Sequence, residues 1–369
     1  MHMKIVHFAD LHLEAPFAWS GATGEAARRR RQELRAGLRR IAALVVEVGA
    51  DALFCGGDLY EHELVTPDTA AFLRSTFAEL SPTPVFLAPG NHDWYGPRSL
   101  YSTAGWTPNV HVFRTDRLEP VALEDGLTLW GGAHLAPANT RDFLDAFHVD
   151  RAGVHVALFH GAERSWLNEQ EDGKEPHAPF DAPEIERAGL HHAFLGHYHR
   201  PRDGAYHTYP GNPVSLTFGE DGERGAVIAT IAADGTVTRE RRVIADRSAH
   251  DIALDVTGCN SRDEIRDRLI ERSRGLSGVA RVTVHGELDP DVDLQPTDLR
   301  TAVPQFDAVM VRTNALAAGY DLDAIGTEAT VRGQFVRDVV AAQLPEDESR
   351  RVIVTGLRAM SGRADLEVL

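Results

Sequence analysis

The sequence predicts an α/β fold followed by a smaller α+β unit, on three observations. Short apolar runs alternate with segments of helical period over the first half of the chain, the pattern of parallel strands joined by crossover helices. Those runs end repeatedly in glycine and a polar residue able to bind metal. From about Asp251 the texture changes to strand, helix, strand, with no polar cluster of that kind.

The first strand is "MKIVHFAD", followed by the amphipathic helix "EAARRRRQELRAGLRRIAALVVEVG". Leu34, Leu38, Ile41 and Leu44 are spaced by 4, 3 and 3 residues, one face of a helix. Arg28, Arg29, Arg30, Arg31, Arg35, Arg39 and Arg40 read as its solvated face, with a DNA phosphate track as the alternative. Next come the strand "DALFCGGD", a helix around "TPDTAAFLRSTFAEL" and the strand "TPVFLAPGNHD". Further strands are "LTLWGGAH", "VHVALFHG" and "HHAFLGHYH", and "GAVIATIAADGTVTRERRVI" reads as a hairpin turning at Asp234-Gly235. The second domain opens with "DIALDVTG", then a helix whose N-cap is Ser261 with Glu264 closing a capping box, then "VARVTVHGEL". The acidic "PEDESRR" reads as a loop. The expected domains are residues 1–249 and 250–369.

Composition narrows the class. The 369 residues suit one domain of about 250 and one of about 100. Cys55 and Cys259 are the only cysteines, which argues against a disulfide framework or a thiolate site and suits a reducing cytoplasm. No apolar run approaches the roughly 20 residues of a membrane span, and "MHMKIVHFADLH" reads as a strand rather than a secretory signal. A cytoplasmic protein without a membrane partner is expected. The charge of −17, from 55 acidic and 38 basic residues, stands against nucleic-acid binding unless positive charge is local.

The polar residues at the strand ends carry the chemistry, because open α/β sheets place their ligands there. They are Asp10 and His12, Asp58, then Asn91, His92 and Asp93, then His160, then His197 and His199. The last pair, two residues apart on extended chain, points the same way. Carboxylates, a carboxamide and imidazoles without thiolate suit two borderline-hard divalent ions: Mn²⁺, Fe²⁺ or Zn²⁺. Such a pair serves hydrolysis of a phosphate ester by metal-activated water. His134 in "GGAHL" is either a substrate contact or a packed loop residue; His155 is expected to face away, and His191 and His192 to precede their strand.

In this order, D-x-H, G-D, G-N-H-D, a lone His after a strand and G-H-x-H resemble the calcineurin-like metallophosphoesterases over roughly residues 4–200. The resemblance implies a four-layer α/β/β/α sandwich. It implies Asp10, His12, Asp58 and His199 at one metal and Asp58, Asn91, His160 and His197 at the other, Asp58 bridging. His92 would be a proton donor or transition-state contact, with Asp93 orienting it.

The flanks "FADLHLEAPF", "FDAPEIERAGLHHAFLGHYHRP" and "YPGNPVSLTFGE" resemble the SbcD-like DNA-repair exonucleases, including YhaO-type relatives. That branch implies a Mn²⁺-dependent DNA exonuclease, a C-terminal capping domain, an SMC-like (SbcC-like) ATPase partner and a homodimer. Glu61 stands where archaeal and eukaryotic members carry histidine, with His62 after it, and both are candidate substrate contacts. The rival readings are a phosphodiesterase or phosphatase for a nucleotide or other small ester, and a scaffold without catalysis.

Overall fold

The structure is a computed structural model that describes residues 2–17, 24–169, 176–220 and 222–363. The chain forms two compact units, the first ending at Asp246 and the second beginning at Arg247.

The first unit runs β1 (His2–Phe8), α1 (Gly24–Glu47), β2 (Ala52–Cys55), α2 (Pro67–Ala78), β3 (Val85–Leu87), α3 (Leu100–Thr103) and β4 (Val110–Val112). It continues through β5 (Glu119–Glu124), β6 (Leu127–Gly131), β7 (Val154–His160), α4 (Pro183–Arg187), β8 (His192–Gly196), β9 (Arg202–Asp203) and β10 (His207–Tyr209). The hairpin β11 (Gly225–Ala232) and β12 (Val237–Val243) closes it. Two sheets result, in the orders β12-β11-β1-β2-β3-β4 and β5-β6-β7-β8-β10-β9. Strands β1 to β4 are parallel, as are β6, β7 and β8.

The two sheets face each other across an apolar layer. Ile5, Phe54 and Phe86 of one pack with Leu129, Val156, Leu158 and Phe194 of the other, and the Phe54 and Phe194 rings meet edge-on at 5.5 Å. Period-2 alternation then turns Ala157, Phe159, Ala193 and Leu195 outward, where Ile185 and Ala188 of the α4 region cover them. The crossover helices α1 and α2 occupy the outer face of the first sheet. On α1, Leu34, Leu38 and Ile41 are wholly buried and Leu44 nearly so. Thr66 caps α2 by reciprocal bonds with Thr69, and Pro67 takes the first helical position. This is the α/β/β/α sandwich.

Register positions the site. Phe8 pairs with Cys55 and Cys55 with Leu87, so the chain leaves three neighbouring strands at one edge. In the other sheet His160 pairs with Gly196.

The second unit is β13 (Ser248–Asp255), α5 (Arg262–Arg272), β14 (Gly278–Leu288), α6 (Pro296–Ala302) and β15 (Phe306–Ala318), a three-stranded parallel sheet with its helices. Helices α7 (Leu322–Thr327), α8 (Val331–Ala341) and α9 (Glu346–Met360) follow. Two expectations are corrected here. The Ser261 side chain caps α5 by accepting from Glu264 N at 3.2 Å, but the Glu264 carboxylate turns to Asn260 N at 2.8 Å, so the box is one-sided. "PEDESRR" is not a loop: Glu346, Asp347 and Glu348 form the first turn of α9, where carboxylates complement the helix dipole. Among the described residues no helix is long and apolar enough to cross a membrane.

Candidate metal centre

Three of the loops at the sheet edge, those after β1, β2 and β8, bend through backbone that side chains rarely adopt. Asp10, His12, Asp58 and His197 have φ of 55°, 49°, 50° and 117°. Such positions cost on the order of 1–3 kcal/mol each and cluster at functional sites. Neighbouring loops hold them: Asp10 N donates to Gly57 O at 3.0 Å and His12 N to Asp58 O at 2.9 Å. His197 N donates to both Asp10 oxygens, at 3.0 and 3.2 Å, tying the first motif to the last. Gly90 admits this approach, since a Cβ there would collide with Asp58 Oδ1.

The side chains converge. Asp58 Oδ2 lies 3.6 Å from His12 Nε2 and 3.3 Å from His160 Nε2, which is 3.0 Å from Asn91 Oδ1. Donor atoms of Asp10, His12 and His199 lie within 4.8 Å of one another, and so do those of Asp10, Asp58 and His160. The His197 ring stands 5.3 Å from that of His160. Asp10, His12, Asp58 and His160 are buried, so two carboxylates lie out of water among imidazoles.

The imidazoles are arranged as metal ligands are. His12 Nδ1 meets Glu61 Oε1 at 2.7 Å, His160 Nδ1 meets Gly56 O at 2.9 Å and His199 Nδ1 meets Glu220 Oε1 at 2.7 Å. Each acceptor fixes the proton on Nδ1 and leaves Nε2 for the centre. His12 Nε2 is buried with no hydrogen-bond partner. An orphaned imidazole nitrogen facing a carboxylate cluster fits a divalent cation.

Comparison with known proteins agrees. The family model for calcineurin-like phosphoesterases matches residues 3–201, more than half of the chain. The chain belongs to that family. Calcineurin-like phosphoesterases hydrolyse phosphoesters at a dinuclear metal centre. The chain is 25% identical over 267 residues to the uncharacterized metallophosphoesterase YhaO of Bacillus subtilis (strain 168). That match covers 69% of the chain and 64% of YhaO, so the chain spans just under two thirds of the relative's length. Among solved structures, TT1561 of Thermus thermophilus matches at 13% identity and a TM-score of 0.38, over 65% of the chain and 99% of that protein. A conserved uncharacterized protein from Streptococcus pneumoniae matches at 13% identity and 0.30, over 66% and 99%.

Charge in the site is organised around Asp58 and Glu61. Burial alone would raise the Asp58 pKa, but the neighbouring His160 and His12 hold it well below the usual range. Burial dominates at Asp10 and raises it. Glu61 is lowered to about 2, against burial, by hydrogen bonds from His12 and His92. The reciprocal effect raises His92 to about 9, again against burial.

Asp93 does not orient His92 as expected. It is buried, and its carboxylate accepts from Gly90 N at 2.6 Å, Leu59 N at 2.6 Å, Asp58 N at 3.2 Å and the Tyr101 hydroxyl at 2.5 Å. It braces the loops that carry Asp58 and Asn91. Glu61 takes the place beside His92, with Oε2 at 3.1 Å from Nδ1. His134 is buried, with Nε2 on His160 O at 2.8 Å and Nδ1 on Thr140 Oγ1 at 2.8 Å, so both nitrogens are engaged by protein. His155 lies against Trp130. His192 is the first residue of β8 and is buried there.

Three supporting residues were not singled out from the sequence. Glu220 accepts from Asn212 Nδ2 and Leu216 N, each at 2.6 Å, while holding His199. The stretch "YPGNPVSLTFGE" thus acquires a physical task. Tyr101 anchors Asp93, and His177 brings its ring to 5.7 Å from that of His197. Their sequence signal is weak, because none sits at the end of an apolar run.

Proposed function

We propose that the protein is a dinuclear-metal phosphodiesterase acting on DNA, an exonuclease. The observation that carries the chemistry is the posture of His92. Its side chain is 45% exposed beside a buried cluster, and Nδ1 is held by Glu61. A phosphodiester expels an alkoxide, which needs a proton as it leaves, and an exposed, oriented imidazole is suited to deliver it. Asp10, His12, Asp58 and His199 would hold one ion, and Asp58, Asn91, His160 and His197 the other, with Asp58 between them. Two such ions supply Lewis acidity toward the phosphoryl oxygens and activate water. Glu61 positions His92 and His12 together, and Asp93 keeps the Asp58 and Asn91 loops in register.

Support for DNA comes from the SbcD-like flanks and from a second unit beyond what the chemistry requires. Mn²⁺ as the metal, an SMC-like ATPase partner, a homodimer and a cytoplasmic setting belong to the same proposal. A second reading, a small phosphate ester as substrate, is favoured by the charge of −17 and by the fate of the arginines on α1. Arg30 is buried with its guanidinium over Phe17, Arg35 pairs with Glu14 and Asp68, and Arg40 pairs with Glu33 and Asp246.

The test is Mn²⁺-dependent degradation of end-labelled single- and double-stranded DNA, beside bis(4-nitrophenyl) phosphate and a His92→Ala control. Shortening of DNA that the control loses supports the exonuclease and gives its polarity. Cleavage of the ester with intact DNA supports the small-substrate reading.

A further inference from the structure

The GNHD motif runs on into Trp94, and this tryptophan is not placed as a core residue would be. Its indole stacks on the imidazole of His62, with ring centroids 4.1 Å apart and planes at 18°. Both residues are half-buried. Trp106 and Trp130 give their indole N–H to protein acceptors, Tyr101 O at 3.1 Å and His155 Nδ1 at 3.3 Å. Trp94, like Trp166, has no such bond among the described residues, but Trp166 packs within an aromatic core cluster whereas Trp94 adjoins His62 and the GNHD motif. A buried indole finds a partner, and an indole left to solvent beside a catalytic cluster is available to a ligand.

The pair is anchored to the proton donor. His62 N donates to His92 O at 3.0 Å, so the loop carrying the imidazole and the loop carrying the indole are joined at His92 itself. Trp94 follows His92 by two residues, and Tyr95 N is fixed to His134 O at 2.7 Å. A flat surface therefore stands next to His92, the proposed proton donor. Exposed Arg98 follows Trp94 by four residues, and among the described residues it forms no salt bridge.

We propose that His62 and Trp94 form a stacking subsite for a nucleobase of the substrate, resting on the phosphodiesterase reading above. Every base offers a π-face, so such a platform accepts nucleotides without regard to sequence, as an enzyme working along a strand requires. Arg98 supplies positive charge for a neighbouring phosphate in a chain otherwise strongly acidic. The platform also orders the two substrate classes: an ester without a planar base gains nothing from it.

Equilibrium dialysis of the full chain loaded with Mn²⁺ tests this, with thymidine 5′-monophosphate and 2-deoxyribose 5-phosphate as probes. Trp94→Ala is expected to weaken binding of the nucleotide about tenfold and to leave the sugar phosphate unchanged, and Trp94→Phe to retain most of the affinity. His62→Ala is expected to lie between them. Unchanged sugar-phosphate binding shows that the variants keep the fold and the metal site. Equal weakening of both probes, no weakening of either, or no saturable binding of the nucleotide by the unmodified protein would each overturn the platform. Failure of the exonuclease reading shows separately: DNA stays intact while the nucleotide still binds through Trp94.

Discussion

The two units of the chain handle buried polarity in opposite ways. In the first, Asp10, His12, Asp58, Asn91, Asp93, His134, His160 and other polar side chains lie inside, and Asp10, His12, Asp58 and His197 hold left-handed backbone. In the second, the buried polar side chains among the described residues are Ser273 and Arg358, and Gln343 is the non-glycine residue at positive φ. Its core is Leu254, Val256, Val282, Val284, Leu288, Leu299 and their like. A chain selected for stability alone would resemble the second unit throughout. The densest of these costs in the first unit, at Asp10, His12, Asp58 and His197, fall at the strand ends where the candidate ligands gather.

The comparison breaks most decisively at Asp58. Asp58→Asn is expected to lower Mn²⁺-dependent hydrolysis of bis(4-nitrophenyl) phosphate on the order of 10³-fold and to lower the melting temperature of the metal-free protein at pH 7, because His160 and His12 stabilise the carboxylate in the folded chain. Activity and metal content check the first half and thermal melts the second; hydrolysis that persists in the variant would make Asp58 a structural residue alone and erase the contrast. Leu254→Ala in the second unit should do only the latter. It is expected to cost about 2–5 kcal/mol in urea unfolding and to leave ester hydrolysis per folded molecule unchanged.

Acid sharpens the same line. Burial lowers His7 to about 4 and His192 to about 3. The unfolded chain takes up protons at these two sites below about pH 6.5, where the folded chain does not. Stability is therefore full above that pH and falls as pH drops through it, by about 2 kcal/mol for each histidine at pH 5. Urea unfolding at pH 7 and pH 5 should show the loss, and His192→Gln should remove about half of it. An undiminished loss in that variant would place the acid sensitivity elsewhere.

What was legible in the sequence follows from what local pattern can carry. The parallel strands of the first unit announce themselves because β2, β7 and β8 are buried at every position, and α1 because its stripe keeps helical spacing. The ligands are legible because glycine and apolar runs frame them. Strands β4, β5, β9 and β10 are not, being short or partly exposed and defined by their neighbours in the sheet. Helix α9 hides behind acidic residues that look like a loop until Pro345 is seen to start it. The exchange of tasks between Asp93 and Glu61 is invisible to spacing: a carboxylate turns toward whichever donors the fold presents, and four were waiting for Asp93.

The bonds from His197 N to Asp10 have a consequence in time. The two residues are 187 positions apart. A ribosome adding about 5–20 residues per second delivers the second roughly 10–40 s after the first. Through that interval Asp10 waits without its backbone donor, and the cluster is an open half-shell on a growing chain. A site that needs both motifs is thus completed late in the birth of the molecule, set by the arrival of its last motif rather than its first.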